Sequence, residues 1–270
     1  MVPGRNGACM KNIVFFDVDG TIWDEQMRIP AQTRKSIKKL RENGNLAFVC
    51  TGRSRANITA PELLELGFDG IVCACGCHIE MDGKMLRDQI LPYEMIEYAN
   101  KTLSRARMPV VFEGPEYCWF NEEDFDGDPY IDYLLEVMGD TARRLEDLTP
   151  YARVNKFSVD IMPYSDLKSV QEAFLGRMDI ILHGAVVAEF VPPGMSKAEG
   201  IREVLGRLGI PKENSFALGD GNNDLEMIDY VGHGIAMGNA AESLKERAEF
   251  VTKDLRENGL TYALQHYGLI

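Results

Sequence analysis

Short apolar runs recur along the chain, and polar residues follow each of them. The run Ile13-Val14-Phe15-Phe16 is rich in β-branched and aromatic residues and has no polar alternation, so it predicts a strand buried on both faces. Similar runs predict further strands at 46–50, 70–74 and 214–218. Helical periodicity predicts helices at 31–43, 57–66, 196–208 and 222–230. This alternation predicts an α/β fold with a doubly wound parallel sheet.

The pattern changes in the middle of the chain. Residues 78–86 surround Asp82-Gly83, which predicts a β-hairpin. From about residue 91 to residue 184 the apolar periodicities predict helices at 93–107, 129–138 and 165–175 and strands at 109–112, 117–120, 157–161 and 179–183. We therefore predict a core made of residues 11–83 and 187–270, an inserted α/β cap domain at 84–186, and a disordered leader at 1–10.

Two carboxylates follow the first apolar run. Asp17 and Asp19 occupy alternate positions at the carboxyl end of the predicted strand, so they begin on the same side of it. Ligand sites of open α/β sheets lie at such strand ends, and a cation between two carboxylates relieves their repulsion. Gly20 lets the backbone leave the strand in a conformation that a side chain forbids. An acidic turn without any chemistry is the alternative interpretation.

The charge of the chain limits its partners. The 270 residues contain 29 Lys and Arg and 42 Asp and Glu, a net charge of −13, which argues against a nucleic-acid partner. An anionic substrate would therefore need local positive charge from a metal ion, from Lys197 or from backbone amides. No run of roughly 18 apolar residues is present, and residues 1–7 lack the apolar segment of a secretory signal. We predict a cytoplasmic protein with no membrane partner.

Three of the six cysteines lie at alternate positions, Cys73, Cys75 and Cys77. Their spacing matches no zinc pattern, and no second group of cysteines and histidines completes one. We predict that they are reduced, buried side chains of an alternating strand, with a metal site as the alternative.

Four segments together resemble the motifs of the haloacid dehalogenase-like phosphatases. They are Phe16-Asp17-Val18-Asp19-Gly20-Thr21, Thr51-Gly52-Arg53, Lys197, and Gly219-Asp220-Gly221-Asn222-Asn223-Asp224. The long interval between Thr51 and Lys197 resembles the Cof-type branch, whose members carry a large α/β cap. The resemblance implies a Rossmann-like core. It covers both ends of the chain, and the middle only by length and pattern.

The resemblance also implies a reaction. It is that of a Mg²⁺-dependent phosphatase acting on a small phosphorylated metabolite, a sugar phosphate or a similar compound. By this resemblance Asp17 is the nucleophile that forms an aspartyl-phosphate, and Asp19 protonates the leaving alcohol and then activates water.

The ligand sets follow from the same resemblance. Mg²⁺ is assigned to the Asp17 carboxylate, the Asp19 backbone carbonyl and Asp220, with Asp224 orienting its waters or joining the set. The phosphoryl group is assigned to Thr51, Gly52, Asn223 and Lys197. Taken singly, Thr51 also fits an ordinary strand-to-helix turn, and Lys197 also fits a surface lysine.

Two positions depart from the family pattern. Trp23 stands where members often carry an aliphatic residue, and we expect it to shape the substrate entrance. Cys75-Gly76-Cys77 stands where the branch often shows Asn-Gly-Ala. Both departures concern the choice of substrate rather than the chemistry.

Two other functions stay open at this point. A phosphomutase of the phosphomannomutase type carries the same first motif, but it needs cap arginines for a second phosphate. The candidates are Arg105, Arg107, Arg143, Arg144 and Arg153. A non-catalytic binding protein on the same scaffold is the other alternative, and the full set of catalytic residues argues against it.

Overall fold

The structure is a computed structural model, and it describes residues 11–125, 131, 135 and 137–270. The predicted leader at 1–10 and most of the predicted helix at 129–138 lie outside the described residues. Within the described part the strands are β1 (Ile13–Phe16), β2 (Leu46–Cys50), β3 (Gly70–Cys73), β4 (His78–Met81), β5 (Lys84–Asp88), β6 (Val110–Glu113), β7 (Cys118–Trp119), β8 (Ala142–Arg143), β9 (Lys156–Asp160), β10 (Asp179–His183), β11 (Val187–Val191), β12 (Ser215–Gly219), β13 (His233–Ala236) and β14 (Phe250–Val251). The α-helices are α1 (Ala31–Glu42), α2 (Pro61–Leu64), α3 (Tyr93–Ala106), α4 (Leu167–Phe174), α5 (Lys197–Leu208), α6 (Leu225–Tyr230), α7 (Glu242–Lys245) and α8 (Gly259–His266).

The first sheet has eight strands in the order β14-β13-β12-β1-β2-β3-β4-β5. The pairs from β14 to β3 are parallel, and the β3–β4 and β4–β5 pairs are antiparallel. Every residue of β1 is buried, as expected for a central strand without polar alternation. The predicted α/β, Rossmann-like core is therefore confirmed.

The second sheet has six strands in the order β10-β11-β9-β6-β7-β8. It is antiparallel except for the β7–β8 pair. Helices α3 and α4 pack against each other, and their apolar residues share one buried cluster with those of β6, β9 and β11. We call this sheet the cap sheet.

Sheet pairing corrects the predicted boundaries at both ends of the cap. β5 pairs with β4 at the edge of the first sheet, although residues 84–88 were expected in the cap. β11 lies between β10 and β9 in the cap sheet, although residues 187–191 were expected in the core. A turn at Asp82-Gly83 keeps β5 beside β4, and both turn residues have positive φ (51° and 69°). A similarly tight connection keeps β11 beside β10.

Two local predictions were wrong for backbone reasons. The helix expected at 57–66 begins only at Pro61, because the fixed φ of proline suits a first helical position. The alternating strand expected at Cys73, Cys75 and Cys77 ends at Cys73, and Cys75 has left-handed φ and ψ of 52° and 41°. The prediction of burial was right, since all three thiols are buried and free.

Candidate active site

The predicted site residues follow three neighbouring parallel strands. Asp17 comes directly after β1, Thr51 after β2 and Asp220 after β12, and β1 lies between the other two strands. The carboxyl ends of parallel strands share one edge of the sheet, so the topology brings these side chains together.

Lys197 is the first residue of α5, and its side chain contacts the groups at this edge. Ser196 caps the helix by accepting a hydrogen bond from the Glu199 backbone N–H at 3.3 Å, as the sequence predicts. The Lys197 side chain is 1% exposed, and its ammonium group donates to Asp17 Oδ1 at 2.6 Å and to Asp224 Oδ1 at 2.5 Å. The alternative of a surface lysine is therefore wrong.

Asp224 organises the loop that carries Asp220. Its Oδ2 accepts the backbone N–H groups of Asp220 and Gly221, each at 2.9 Å, and the side chain is fully buried. Asp224 thus positions both Lys197 and the loop, because Oδ1 accepts from the lysine while Oδ2 accepts from the backbone of the loop.

The carboxylates of Asp17, Asp220 and Asp224 form a compact group, with one oxygen from each lying within 4.8 Å of the others. Burial, and then repulsion from Asp224, raise the pKa of Asp17 well above its ordinary value, although Lys197 opposes the shift. Burial and Asp224 likewise raise the pKa of Asp220 to about 7. One lysine does not balance three acids, and oxygen ligands suit hard divalent ions, so the residues present fit Mg²⁺.

Gly20 makes room for this group. Its φ is 71°, and a Cβ atom there would lie 2.1 Å from Asp220 Oδ2. Both the backbone conformation and the space therefore require glycine at this position.

Asp19 takes a different direction from Asp17. Its carboxylate accepts two hydrogen bonds from the Arg53 guanidinium, both at 2.8 Å, and one from Trp23 Nε1 at 2.9 Å. Desolvation raises the pKa of Asp19, but the charge and hydrogen bonds of Arg53, together with Trp23, outweigh it and lower the pKa. Trp23 is 1% exposed, so it holds Asp19 rather than shaping the substrate entrance.

A cavity of about 770 Å³ joins these groups. The predicted residues that line it are Asp17, Asp19, Thr51, Gly52, Asp220 and Asn223. A Cβ atom on Gly52 would lie 3.3 Å from Asn223 Nδ2 and 3.0 Å from Glu189 Oε1 of the cap sheet. The loop after β2, the Asn223 amide and the cap sheet therefore meet at one corner of the cavity.

Comparison with known families agrees with this geometry. The profile described as haloacid dehalogenase-like hydrolase matches residues 14–264. The chain belongs to this family. The matched range runs from β1 to the last helix, so it includes the cap that the motifs alone did not reach, and the resemblance to the Cof-type branch is confirmed.

Relatives of this hydrolase are named as phosphatases. The chain is 32% identical to "Putative phosphatase YkrA" of Bacillus subtilis (strain 168), over 96% of this chain and 98% of the relative. It is 27% identical to the 5-amino-6-(5-phospho-D-ribitylamino)uracil phosphatase YwtE of the same organism, over 92% and 95%. These matches identify the hydrolase as one that acts on phosphoric monoesters.

A solved structure gives the same fold. The HAD subclass IIB sugar phosphatase BT4131 superposes with a TM-score of 0.80 at 24% identity, covering 96% of this chain and 100% of that one. In the described part of the hydrolase, no helix has the length and apolar character needed to span a membrane.

Sequence reasoning missed the polar residues that the cap of the hydrolase places in the cavity. We call Glu113, Lys156, Ser158, His183 and Glu189 the polar face, and all five line the cavity. The alternation of polar and apolar residues in Lys156-Phe157-Ser158-Val159-Asp160 was the available signal, since a strand of this kind has one wet side.

The five cap arginines proposed for a second phosphate lie elsewhere. Arg107 and Arg143 stack on Tyr164 and Tyr117, and Arg144 and Arg153 form ion pairs with Glu123 and Asp88. Arg105 is exposed on α3, and within the described part of the chain none of the five lines the cavity. This geometry gives the phosphomutase alternative no support.

Proposed function

We propose that the protein is a Mg²⁺-dependent phosphatase that hydrolyses a small phosphorylated metabolite through an aspartyl-phosphate on Asp17. The observation that carries the proposal is the position of Asp17. Its carboxylate lines the cavity, 2.6 Å from the ammonium of Lys197, in a group of three acids that has only this one lysine against it. Such a group fits a nucleophile that works beside a cation.

In the first step a carboxylate oxygen of Asp17 attacks phosphorus, and the bond from phosphorus to the alcohol oxygen breaks. Asp19 gives its proton to that oxygen. In the second step Asp19 takes a proton from water, the resulting hydroxide attacks the same phosphorus, and Asp17 leaves as a carboxylate. Arg53 and Trp23 favour the ionised form of Asp19, which is the form that the second step needs.

The remaining residues hold the transferring group. Lys197 neutralises charge on Asp17 and on the phosphoryl oxygens, while Thr51, the Gly52 amide and Asn223 bind those oxygens. We assign Mg²⁺ to Asp17, the Asp19 backbone carbonyl, Asp220 and Asp224, where it would offset the charge of the carboxylates and the phosphoryl group.

The kind of substrate is supported by the relatives. One of them is named for 5-amino-6-(5-phospho-D-ribitylamino)uracil, a small molecule whose phosphate is carried by a ribityl chain with several hydroxyl groups. A cavity of about 770 Å³ holds a molecule of that size. We therefore propose a small polyol or sugar phosphate as substrate.

The test is phosphate release from a panel of phosphorylated metabolites and from p-nitrophenyl phosphate. We expect turnover with Mg²⁺, none in EDTA, recovery on adding Mg²⁺, and poor support by Ca²⁺, which prefers a higher coordination number. Full turnover in metal-free protein, or turnover retained in Asp17→Asn, would overturn the mechanism.

A further inference from the structure

The cap sheet has two chemically different faces. Residues of β6, β9 and β11 alternate, and those on one face are buried in the apolar cluster with α3 and α4: Val110, Phe112, Phe157, Val159, Ala188 and Phe190. The opposite face of the same strands carries Glu113, Lys156, Ser158 and Glu189, which line the cavity. In the sheet register Glu113 is opposite Lys156, and Ser158 is opposite Glu189. The polar face is thus a continuous surface built by strand pairing.

The one lysine of this face is already neutralised. Lys156 is 1% exposed, and its ammonium lies 2.6 Å from Glu113 Oε1 and 3.7 Å from Glu189 Oε1. Ser158 Oγ also donates to Glu113 Oε1, at 2.6 Å. Asp160 lines the same wall, so its carboxylates, Glu113, Asp160 and Glu189, outnumber Lys156 even when His183, 3.3 Å from Glu189 Oε1, is counted as a second cation. Lys156 is therefore not a site for an anion.

The polar face adjoins the corner of the cavity where Gly52 and Asn223 lie, which the proposed function assigns to the phosphoryl group. Glu189 lies next to Gly52, where a Cβ atom would be 3.0 Å from its Oε1, and Cys75 Sγ donates to Glu189 Oε2 at 3.0 Å. A phosphate ester bound at Asp17 would therefore direct its alcohol portion toward Glu189 and its neighbours. Apolar residues complete the cavity wall, among them Val111, Phe125, Ile131 and Val187.

The described residues in the rest of the cavity wall supply no cation without an acidic partner. Among the described residues that line it, the basic side chains each have an acidic partner: Arg53 with Asp19, Lys156 with Glu113, His183 with Glu189, and Arg256 with Glu25. In the sequence, residues 121–140 contain no lysine or arginine. A second anionic group on the substrate would meet carboxylates without a partner of its own.

We propose that the polar face selects the substrate's leaving group, binding hydroxyl or ammonium groups and excluding a second phosphate or a carboxylate. This proposal rests on the proposed function, because it concerns the same active site. Carboxylate oxygens accept hydrogen bonds from hydroxyl and ammonium donors, and they repel anions in a site that water does not fully screen.

Matched pairs of phosphate esters test the proposal by binding alone. Calorimetry on Asp17→Asn, which turns over no substrate in the proposed mechanism, compares glucose 6-phosphate with 6-phosphogluconate and glycerol 3-phosphate with 3-phosphoglycerate. In each pair we expect the ester that carries no carboxylate to bind at least about tenfold more tightly than the ester that carries one. Glucosamine 6-phosphate should bind at least as tightly as glucose 6-phosphate. Equal affinity, tighter binding of the carboxylates, or no binding of any of them would overturn the proposal.

A variant of the polar face sharpens the test. Glu189→Gln removes one negative charge from the face. We expect it to lower the affinity ratio, that of the ester without a carboxylate over that of the ester with one, at least about threefold. The matched control is Glu97→Gln, which removes the same charge from the exposed side of α3 and should leave the ratio unchanged. If Glu189→Gln does not fold, Ser158→Asp adds a charge instead and should raise the ratio. An equal response of Glu97→Gln would contradict a role for the polar face.

The two proposals fail in different ways. Absence of phosphate release from every ester would sink the proposed function, while the affinity ratio would still be measured. Efficient turnover together with a ratio near one would overturn the selection by the polar face and leave the phosphatase mechanism in place.

Discussion

Two buried lysines, one at the start of α5 in the core and one in the cap sheet, meet similar partners and serve different purposes. Lys197 contacts Asp17 and Asp224, and Lys156 contacts Glu113 and Glu189. In the core a third acid, Asp220, joins the group, and the pKa values of Asp17 and Asp220 are raised. In the cap, burial raises the pKa of Glu189, but Lys156 and His183 outweigh it and hold the pKa well below its usual range.

The difference lies in the number of donors. The core group is short of positive charge, as the proposed binding of a cation and a phosphoryl group requires. In the cap group Ser158 donates to Glu113 and Cys75 donates to Glu189, and the pKa of Glu189 is lowered rather than raised. The comparison teaches that a buried lysine indicates a cation site where the pKa values of the carboxylates around it stay raised, and not where they are lowered.

The largest expected effect separates chemistry from binding. Asp17→Asn should lower kcat roughly 10³-fold or more, because the amide is no nucleophile. Glu189→Gln should act mainly on KM for sugar phosphates. Steady-state kinetics with matched circular dichroism spectra measure both effects, and Glu226→Gln, an exposed change on α6, is the control. A similar loss of kcat in Glu189→Gln would break the comparison.

The next effect concerns stability. Lys197→Met and Lys156→Met each leave buried carboxylates without their cation, and each should lower the free energy of unfolding by about 3–5 kcal/mol. Mg²⁺ should restore part of the loss in Lys197→Met and none in Lys156→Met, because only the core group fits the ion.

Urea unfolding with and without Mg²⁺ measures these stability changes. The control is Lys168→Met, whose lysine is 86% exposed beside Glu172, and it should change the unfolding free energy by no more than about 0.5 kcal/mol. Equal recovery of both buried variants in Mg²⁺ would remove the distinction between the two groups.

A smaller effect appears in the pH dependence of metal-free protein. The pKa of Asp220 is about 7 in the fold, raised first by burial and then by Asp224, against an ordinary value of 3.8. Its contribution to stability is therefore full below about pH 4, falls as the pH rises toward 7, and is flat above that.

The cap group should show no such change, since the lowered pKa of Glu189 costs stability only below about pH 4. Between pH 5 and pH 7 the unfolding free energy of wild type minus that of Asp220→Asn should fall by up to about 2 kcal/mol. Urea midpoints in EDTA at several pH values give this difference. A difference that rises with pH would contradict the environment inferred for Asp220.

The smallest effect tests the backbone beside Glu189. Cys75 is in the left-handed region, which asparagine tolerates better than cysteine, so Cys75→Asn should stabilise the fold by about 0.5–1 kcal/mol. Its amide keeps a donor for Glu189. Cys77→Asn is the control, since φ there is −67° and the change should only destabilise. Thermal midpoints compare the two, and a lower midpoint for Cys75→Asn would refute the strain.

The core site could be predicted from sequence because each of its residues follows a buried strand or begins a helix. Asp17, Thr51 and Asp220 are adjacent in space because each follows one of three neighbouring parallel strands. Lys197 could be placed through its helix start, although its burial depends on packing.

The polar face could not be predicted in the same way, since its residues come from four strands whose register the sequence does not state. Moreover β11, which carries Glu189, was assigned to the wrong sheet. The Arg53–Asp19 ion pair depends on side-chain conformations in the finished fold, so motif reading placed Asp19 without its partner.

The alternation along β9 has a consequence for how such enzymes diversify. Phe157 and Val159 are buried in the cap core, while Lys156 and Ser158 face the cavity. The residues that stabilise the cap and those proposed to select the substrate therefore lie on opposite sides of one strand. A change at Ser158 or Glu189 need not disturb the aromatic layer behind it. Single substitutions on the cavity side can therefore change which ligand fits, while each variant along the way keeps the buried side that stabilises the cap.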